Sequence, residues 1–563
     1  MARYTDEDNG YVELEQYIDS ALKEYERERR FIEPMWKEIS DYLLPRFSGW
    51  DFSQDITIEA GAKIFDGSAI AAHSRLADGI FGWLVSPTIP WLKFQPLKKE
   101  DEDDKLLMEY LFSLEAYLYD VFNKSNFYDA IAEDIRNSSG IGTAVMVVED
   151  SELGRPIYTP LHPREIYIAE NRWREVDTLF RKYQITKRQF MEEFKSCYPD
   201  DKQRKEIMNS SQEMVTLLHA VYPNLEFVDD GGLKLGENKK YKSVHKIIAG
   251  APTPKGQKTN ILKVSGMDER KFEAHRFNRS SGQVYGTCPS FDAIYDIKMI
   301  NLQSKTMADV AQLAARPPMQ TTELMKGKLR IAPGGVTYGM DPVAPIMTNF
   351  SYPIGLDAMN RREQIIKEHF KTEFFQSISQ IQQTSRDRTA TEIMEIKAEA
   401  AAVMGSIVGR VQSERLEPMV RLTLLIEKEA DRLPPIPEGL DPKKAFALKF
   451  IGPLAQSQEK YLRTQGILNG LGPAIQLSQQ AQAPEAMFNF DFNWAVREVA
   501  VAGGYPAKGL FSTKDVQKKQ DAYAKQQAAI AENNMMNERL KASGQAKGAP
   551  EKGSLLEAIM GGR

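Results

Sequence analysis

The sequence predicts an α+β fold that carries a long helical excursion, and three observations predict it. Residues 140–285 alternate short β-branched runs with turns, as antiparallel strands do. The stretches before and after them repeat apolar residues at helical spacing. Between these, "LAARPPMQTTELMKGKLRIAPGGVTYGM" (313–340) changes abruptly. A helical pattern stops at Pro317-Pro318, which cannot continue it. Short strand-like pieces with a Gly-Gly turn follow, and a second helical pattern begins near Asp357.

Taken in order, residues 11–44 read as an amphipathic helix with Leu14, Tyr17, Ile18, Leu22, Tyr25 and Ile32 on one side. Residues 66–84 read as a second helix, rich in Ala and stopped at Ser86-Pro87. The run KKEDEDDK (98–105) is a charged turn without the ligand spacing or glycine of a calcium loop. Residues 106–137 are helical again. Strands follow at GIGTAVMVVED, IYTPL, EIYIAE, VDTLFRKYQI, MVTLLHAVY, YKSVHKIIAG, ILKVSG and FEAHRF, interrupted by one helix, KRQFMEEF. The outgoing helix starts after Pro289 with Ser290 as N-cap. Ile294, Ile297, Ile300, Met307, Val310 and Leu313 form its stripe. Its ~26 residues span about 40 Å. The return helix carries Met359, Ile365, Ile366, Phe370, Phe374 and Phe375. A Gln/Ser-rich stretch, SISQIQQTSRDR (377–388), ends at the capping box Thr389–Glu392. The helix that follows meets Pro418, where a kink is expected. LPPIPEGLDP (433–442) reads as a linker, 454–512 as a smaller helical segment, and the end from about 520 as partly helical at most.

Composition narrows the function. The chain has 563 residues, 42% apolar and 27% charged, with a formal net charge of −5. A protein that grips nucleic acid tightly usually carries a basic surplus, so contact with DNA should be local or weak. Cys197 and Cys288 are the only cysteines, too few for a disulfide framework. The N-terminus lacks the basic and apolar regions of a signal peptide. No window reaches the ~18 apolar residues of a membrane span. No cofactor or metal motif is present. The stretch nearest to a phosphate loop, GAPTPKGQKT (250–259), has the wrong spacing, no clear strand before it and no helix after it. The six histidines are scattered, and Trp83, Trp91 and Trp494 read as core anchors. The modest basic signal is Lys326, Lys328 and Arg330 in the insert and Arg386 and Arg388 in the polar loop.

Five blocks in order carry a family resemblance. They are "FDGSAIAAHSRLADGIFGWLVSPTIPWLKF", "KSNFYDAIAEDIRNSSGIGTAVMVVE", "YGTCPSFDAIYDIKMINLQSKTMADVAQLAARPPM", "DRTATEIMEIKAEAAAVMGSIVGRVQSERLEPMVRL" and "FIGPLAQSQ". Over about residues 10–515 the chain resembles the portal proteins, or head-to-tail connectors, of short-tailed bacteriophages. It departs at Asp431-Arg432, where the family commonly has a glycine before Leu-Pro.

The resemblance implies an α/β wing (1–289), an outgoing stem helix (290–316), a small β-containing clip (317–353) and a return stem helix (354–376). A channel loop (377–388), a long wing helix kinked near Pro418 (389–435), a crown-like helical domain (436–515) and a flexible tail (516–563) complete it. It also implies a ring of about twelve copies at one capsid vertex of the virion, assembled in the host cytoplasm. The implied partners are the terminase large subunit, tail adaptor or head completion proteins, major capsid and scaffolding proteins, and double-stranded DNA. Lys326, Lys328 and Arg330 would serve docking at the clip, and Gln380, Gln382, Gln383, Arg386 and Arg388 would face DNA. Ile297, Ile300, Val310, Phe370 and Phe374 would pack the stem. The stem helix carries three acids and three bases, which suits DNA that must slide, since each phosphate contact adds affinity. A tail adaptor or scaffold ring is the alternative. A packaging ATPase is a weaker one, because the phosphate loop is missing.

Overall fold

The computed structural model describes residues 3–47, 49–50, 61–98, 101, 104–151, 154–227, 239–315, 319–320, 344–345, 352–373, 405–438, 440, 446–451, 466–467, 470–478, 480, 490–502 and 513–544. The chain divides into two compact units, residues 1–456 and 457–563. The α+β class expected from the sequence is the class observed.

The first unit begins with α1 (Arg3–Arg29) and α2 (Glu33–Tyr42), where the sequence pattern reads as one helix. The break falls at residues 30–32, and Pro34 enters the first turn of α2, where its missing N–H is harmless. α3 (Ser68–Leu84) follows, then β1 (Leu92–Pro96), α4 (Lys105–Lys124) and α5 (Phe127–Ile141). The charged turn before α4 supplies its N-cap: the Asp104 carboxylate accepts from the backbone of Leu106 and Leu107. α4 and α5 also read as one helix in sequence. They separate because Asn126 pairs with a strand edge instead, donating to the Tyr158 carbonyl at 2.7 Å and accepting from the Tyr158 N–H at 3.0 Å.

Two sheets make the body. β2 (Thr143–Asp150) lies between β3 (Pro156–Leu161) and β9 (Phe272–Arg276). The second sheet is an antiparallel meander of β4 (Ile166–Glu170), β5 (Val176–Thr186), β6 (Met214–Pro223), β7 (Tyr241–Ala249) and β8 (Ile261–Met267). Its two faces follow from period-two alternation. Phe180, Leu218, Ala220 and Val244 point toward Ile18 and Leu22 of α1. Leu217 and Ile247 point to the other side, under Phe190, Phe194 and Tyr198. Those aromatics come from α6 (Lys187–Phe194), which opens with a Thr186/Gln189 capping box, and from the turn after it. A short helix, α7 (Asp201–Met208), adds Ile207. Lys246 fastens α1 to this sheet through Glu15 at 3.0 Å and Asp19 at 2.5 Å.

The stretch 250–259 does follow a strand, β7, contrary to the expectation from sequence. It leads into β8 and opens no helix, so it makes no phosphate cradle. Tyr198 donates to the Pro252 carbonyl at 2.7 Å and holds it as a sheet connection.

α8 (Pro289–Ala315) is the outgoing helix, and α9 (Tyr352–His369) is the return. Between them, β10 (Met319–Gln320) pairs antiparallel with β11 (Ala344–Pro345). Residues 405–411 are helical, a π-turn occupies Gln412–Leu416, and α10 spans Glu417–Glu429. β12 (Phe446–Phe450) closes the unit by pairing with β1 across more than 350 positions, Leu92 opposite Phe450. Trp91 sits at that junction, fully buried, stacked on Phe122 and Phe127 at 5.7 and 5.8 Å.

In the second unit, α11 (Phe492–Ala502) and α12 (Thr513–Gly544) are described. α12 covers the first part of the end expected to be partly helical, and residues 545–563 lie outside the described residues. Trp494 is 56% exposed, which overturns its reading as a core anchor.

Candidate functional site

The feature that distinguishes this chain from an ordinary α+β body is the α8–α9 pair with its small paired tip. α8 starts at Pro289, a tolerated first helical position. Ser290, expected as the N-cap, lies inside the first turn, and its buried hydroxyl donates to the Ser139 carbonyl at 3.4 Å. The first half of α8 is built into the unit. Ala293, Ile294, Ile297 and Ile300 are almost wholly buried with residues of α2, α3 and α5. Buried Asn301 accepts from the backbone of Phe65 and Asp66 at 2.7 and 3.0 Å and donates to the Ile297 carbonyl at 2.8 Å. These bonds fix the segment that precedes α3.

The end of α9 lies beside the start of α8. Arg362 donates to Asp296 at 2.8 Å, and Ile366 and Phe370 are fully buried in the same cluster as Ile297. Phe370 sits one residue past the helix end, edge-on to His73 at 5.9 Å. Lys371 next to it takes a left-handed φ of 51°.

One face of α8 is exposed and packs against no described element. Tyr295 is 66% exposed, Met299 40% and Leu302 60%. Their spacing of i, i+4, i+7 places them in one stripe. Thr306 and Asp309 continue the same line and are exposed. Ile297 and Ile300, expected to pack the stem, lie on the other side of α8. The signal for this second stripe was present in the spacing, but a helix apolar on two sides hides it.

Of the residues singled out for stem packing, Ile297, Ile300 and Phe370 come together in one cluster, and Val310 is half-buried. Phe374 lies outside the described residues, as do Lys326, Lys328 and Arg330 of the insert and Gln380, Gln382, Gln383, Arg386 and Arg388 of the polar loop. The β10–β11 pair brings together the two ends of the segment 321–343.

Titratable groups in the unit serve packing. Burial pushes the Cys288 thiol up to about 12 and His73 down to about 4, and the His73 Nε2 meets the Ser139 hydroxyl at 3.0 Å. Among the described residues, no group of three or more His, Cys, Asp or Glu is placed to hold a metal ion. Also among them, no helix is long and apolar enough to cross a membrane.

The chain is thus an α+β body with an outgoing and a return helix and an exposed apolar stripe on the outgoing one. Comparison with known proteins gives the family. The one described as "Bacteriophage head to tail connecting protein" matches residues 15–510, and the chain belongs to it. The chain is 27% identical over 462 residues to the "Probable portal protein" of Bordetella phage BPP-1, covering 78% of this chain and 80% of that one. It is 26% identical over 525 residues to the "Portal protein" of Salmonella phage epsilon15, covering 91% of each.

Proposed function

We propose that this chain is a phage portal subunit. About twelve copies would assemble into a ring with cyclic symmetry at one capsid vertex, where it connects head to tail. DNA enters through the ring during packaging by terminase and leaves through it on ejection. The role is structural, with no catalytic step of its own. The observation that carries this reading is the exposed stripe Tyr295, Met299 and Leu302 on a helix otherwise locked into its own subunit. Such a patch is a contact surface waiting for a neighbour. A ring uses heterologous contacts, so the stripe of one copy meets a different face of the next.

In this reading the segment between β10 and β11, with Lys326, Lys328 and Arg330, docks terminase and then the tail adaptor. The stretch 377–388 faces the DNA. The net charge of −5 agrees with a channel that lets DNA slide, because a ring of cationic contacts would multiply into tight binding.

Negative-stain electron microscopy of the purified full chain tests the ring. Closed rings with an axial hole are expected, and a monomer at every concentration and salt condition would exclude the reading. Replacing 377–388 by a short Gly-Ser turn tests the channel assignment. Rings should still form, while packaged length or retention of DNA falls. Wild-type packaging and retention would remove this stretch from the mechanism.

A further inference from the structure

The helical stretch 405–429 is not one α-helix. The π-turn Gln412–Leu416 interrupts it, and Pro418 follows at the second position of α10. Two features of the sequence need the extra residue. Within an unbroken α-helix, the Pro418 ring would collide with the carbonyl four residues back and leave it without a donor. A wide turn placed just before the proline removes both conflicts.

The second feature is the register of the buried face. Ile407 and Val411 are buried on one side of the turn, and Met419, Leu422 and Ile426 on the other. Ile407 and Ile426 are 426 − 407 = 19 positions apart. At about 100° per residue, a plain α-helix would set them about 100° apart around the axis. One residue taken up by the π-turn returns them to a common face.

The turn is also where the helix grips the body. Arg415, fully buried, donates to both oxygens of Asp134 at 2.8 and 2.5 Å and to the carbonyls of Glu273 and Ala144 at 3.0 Å. It therefore holds α5, β2 and β9 together. Glu414 beside it accepts from the Arg276 N–H at 3.0 Å and from the Arg279 guanidinium at 3.2 Å. One turn earlier, Arg410 donates to the Phe277 carbonyl at 3.0 Å and to the Asn278 side chain at 3.1 Å. Residues 276–279 leave β9, and through the Asn278–Thr287 bridge they deliver the chain to α8.

We infer that the π-turn is a joint. Arg415–Asp134 is its fixed pivot, and Arg410 and Glu414 couple the N-terminal side of this helix to the connector that feeds α8. A rotation of residues 405–411 acts on residues 277–288 before it reaches α10. The joint itself follows from the contacts within one chain. Its use, linking the polar stretch N-terminal to the helix with the outgoing helix, rests on the ring reading above.

Hydrogen–deuterium exchange on the full-length chain tests it with two variants. Arg410→Ala removes its own two bonds to the connector and leaves the pivot and the Glu414–Arg279 pair in place. Exchange in 277–288 should rise on the order of tenfold, with 417–426 and the sheet residues 214–223 and 241–249 unchanged. Deleting exposed Ser413 together with Pro418→Ala makes a continuous α-helix. The buried face then stays in register without the turn, so exchange should fall in both 405–411 and 277–288, again with 417–426 protected. A change in 405–411 without one in 277–288 would overturn the coupling. No change in either segment would overturn the joint, as would an equal rise throughout the sheet. Electron microscopy of the same samples scores rings separately: the expected exchange pattern without rings would remove the ring reading and leave the joint standing.

Discussion

Arg362 of α9 donates to Asp296 of α8 at 2.8 Å, and the His369 ring stands 4.0 Å from the same carboxylate. Both members of the Arg–Asp pair are less than one-third exposed. The pair ties the end of the return helix to the start of the outgoing one, above the apolar contact of Ile297 with Phe370's cluster. Partly buried pairs of this kind contribute about 0.5–1.5 kcal/mol. A double-mutant cycle of Asp296→Ala and Arg362→Ala in denaturant melts should give a coupling of that size. A coupling of zero would make the pair an incidental contact.

The two sides of α8 should respond differently to the same change. Ile297→Asp places a carboxylate in the subunit's own core, at a cost of several kcal/mol, so folding itself should fail. Tyr295→Asp and Leu302→Asp alter only exposed positions, and single-chain stability should stay within about 0.5 kcal/mol. Ring formation should be lost or strongly weakened. Thermal melting beside sedimentation separates the two effects. Normal rings from the Tyr295→Asp, Leu302→Asp double variant would show that the stripe is not a contact.

The fold was legible where local pattern decides it. The strands of the meander and the helix 187–194 stand almost where the local pattern puts them, because each is specified within its own ten residues. What stayed hidden depends on distant partners. Nothing near Leu92–Pro96 announces that Phe446–Phe450 will pair with it. Arg415 and Asp134 lie 281 positions apart, and each alone reads as an ordinary surface charge on a helix. The separation of α4 from α5 likewise needs Tyr158, a residue of another element. Candidate site residues were legible as chemistry only in part. Ile297, Ile300 and Phe370 do meet, but inside the subunit, and the residues that face outward on α8 lie on its other side.

Acid should unfold the first unit earlier than its charge would suggest. His73 and His162 are both held near a pKa of about 4, in each case first by burial. His162 accepts from the Arg164 N–H at 3.0 Å on one nitrogen and contacts the Phe47 carbonyl at 3.2 Å with the other, which fits the neutral ring. In the unfolded chain each takes a proton near pH 6.5. Between about 6.5 and 4, then, the unfolded state binds more protons, and stability falls as pH falls. The loss is up to about 3 kcal/mol for His73, which is buried outright. Melts from pH 7 to 4 should show this decline, and His73→Gln should flatten part of it. An unchanged slope in that variant would place the acid sensitivity elsewhere.

Asp431 takes the left-handed position that ends α10, with φ 54°, a position that glycine most often fills. The helix closes as a Schellman turn: the Arg432 N–H reaches the Glu427 carbonyl at 2.9 Å, and the Asp431 N–H reaches that of Lys428 at 3.1 Å. This turn swings the Arg432 side chain back onto buried Glu427 at 2.9 Å and onto Asp150 at 2.8 Å. Left-handed backbone costs an ordinary residue about 1–2 kcal/mol, and a short polar side chain less. Glycine removes that strain but adds up to about 1 kcal/mol of chain entropy to the unfolded state. The difference favours glycine slightly, so Asp431→Gly should raise stability by less than about 1 kcal/mol, or about 1–2 °C in melting temperature. Arg432→Ala should act in the opposite sense and more strongly, because it strips a partner from a carboxylate that is only 1% exposed. If Asp431→Gly lowers the melting temperature, the Asp431 side chain makes a contact worth more than the strain it carries.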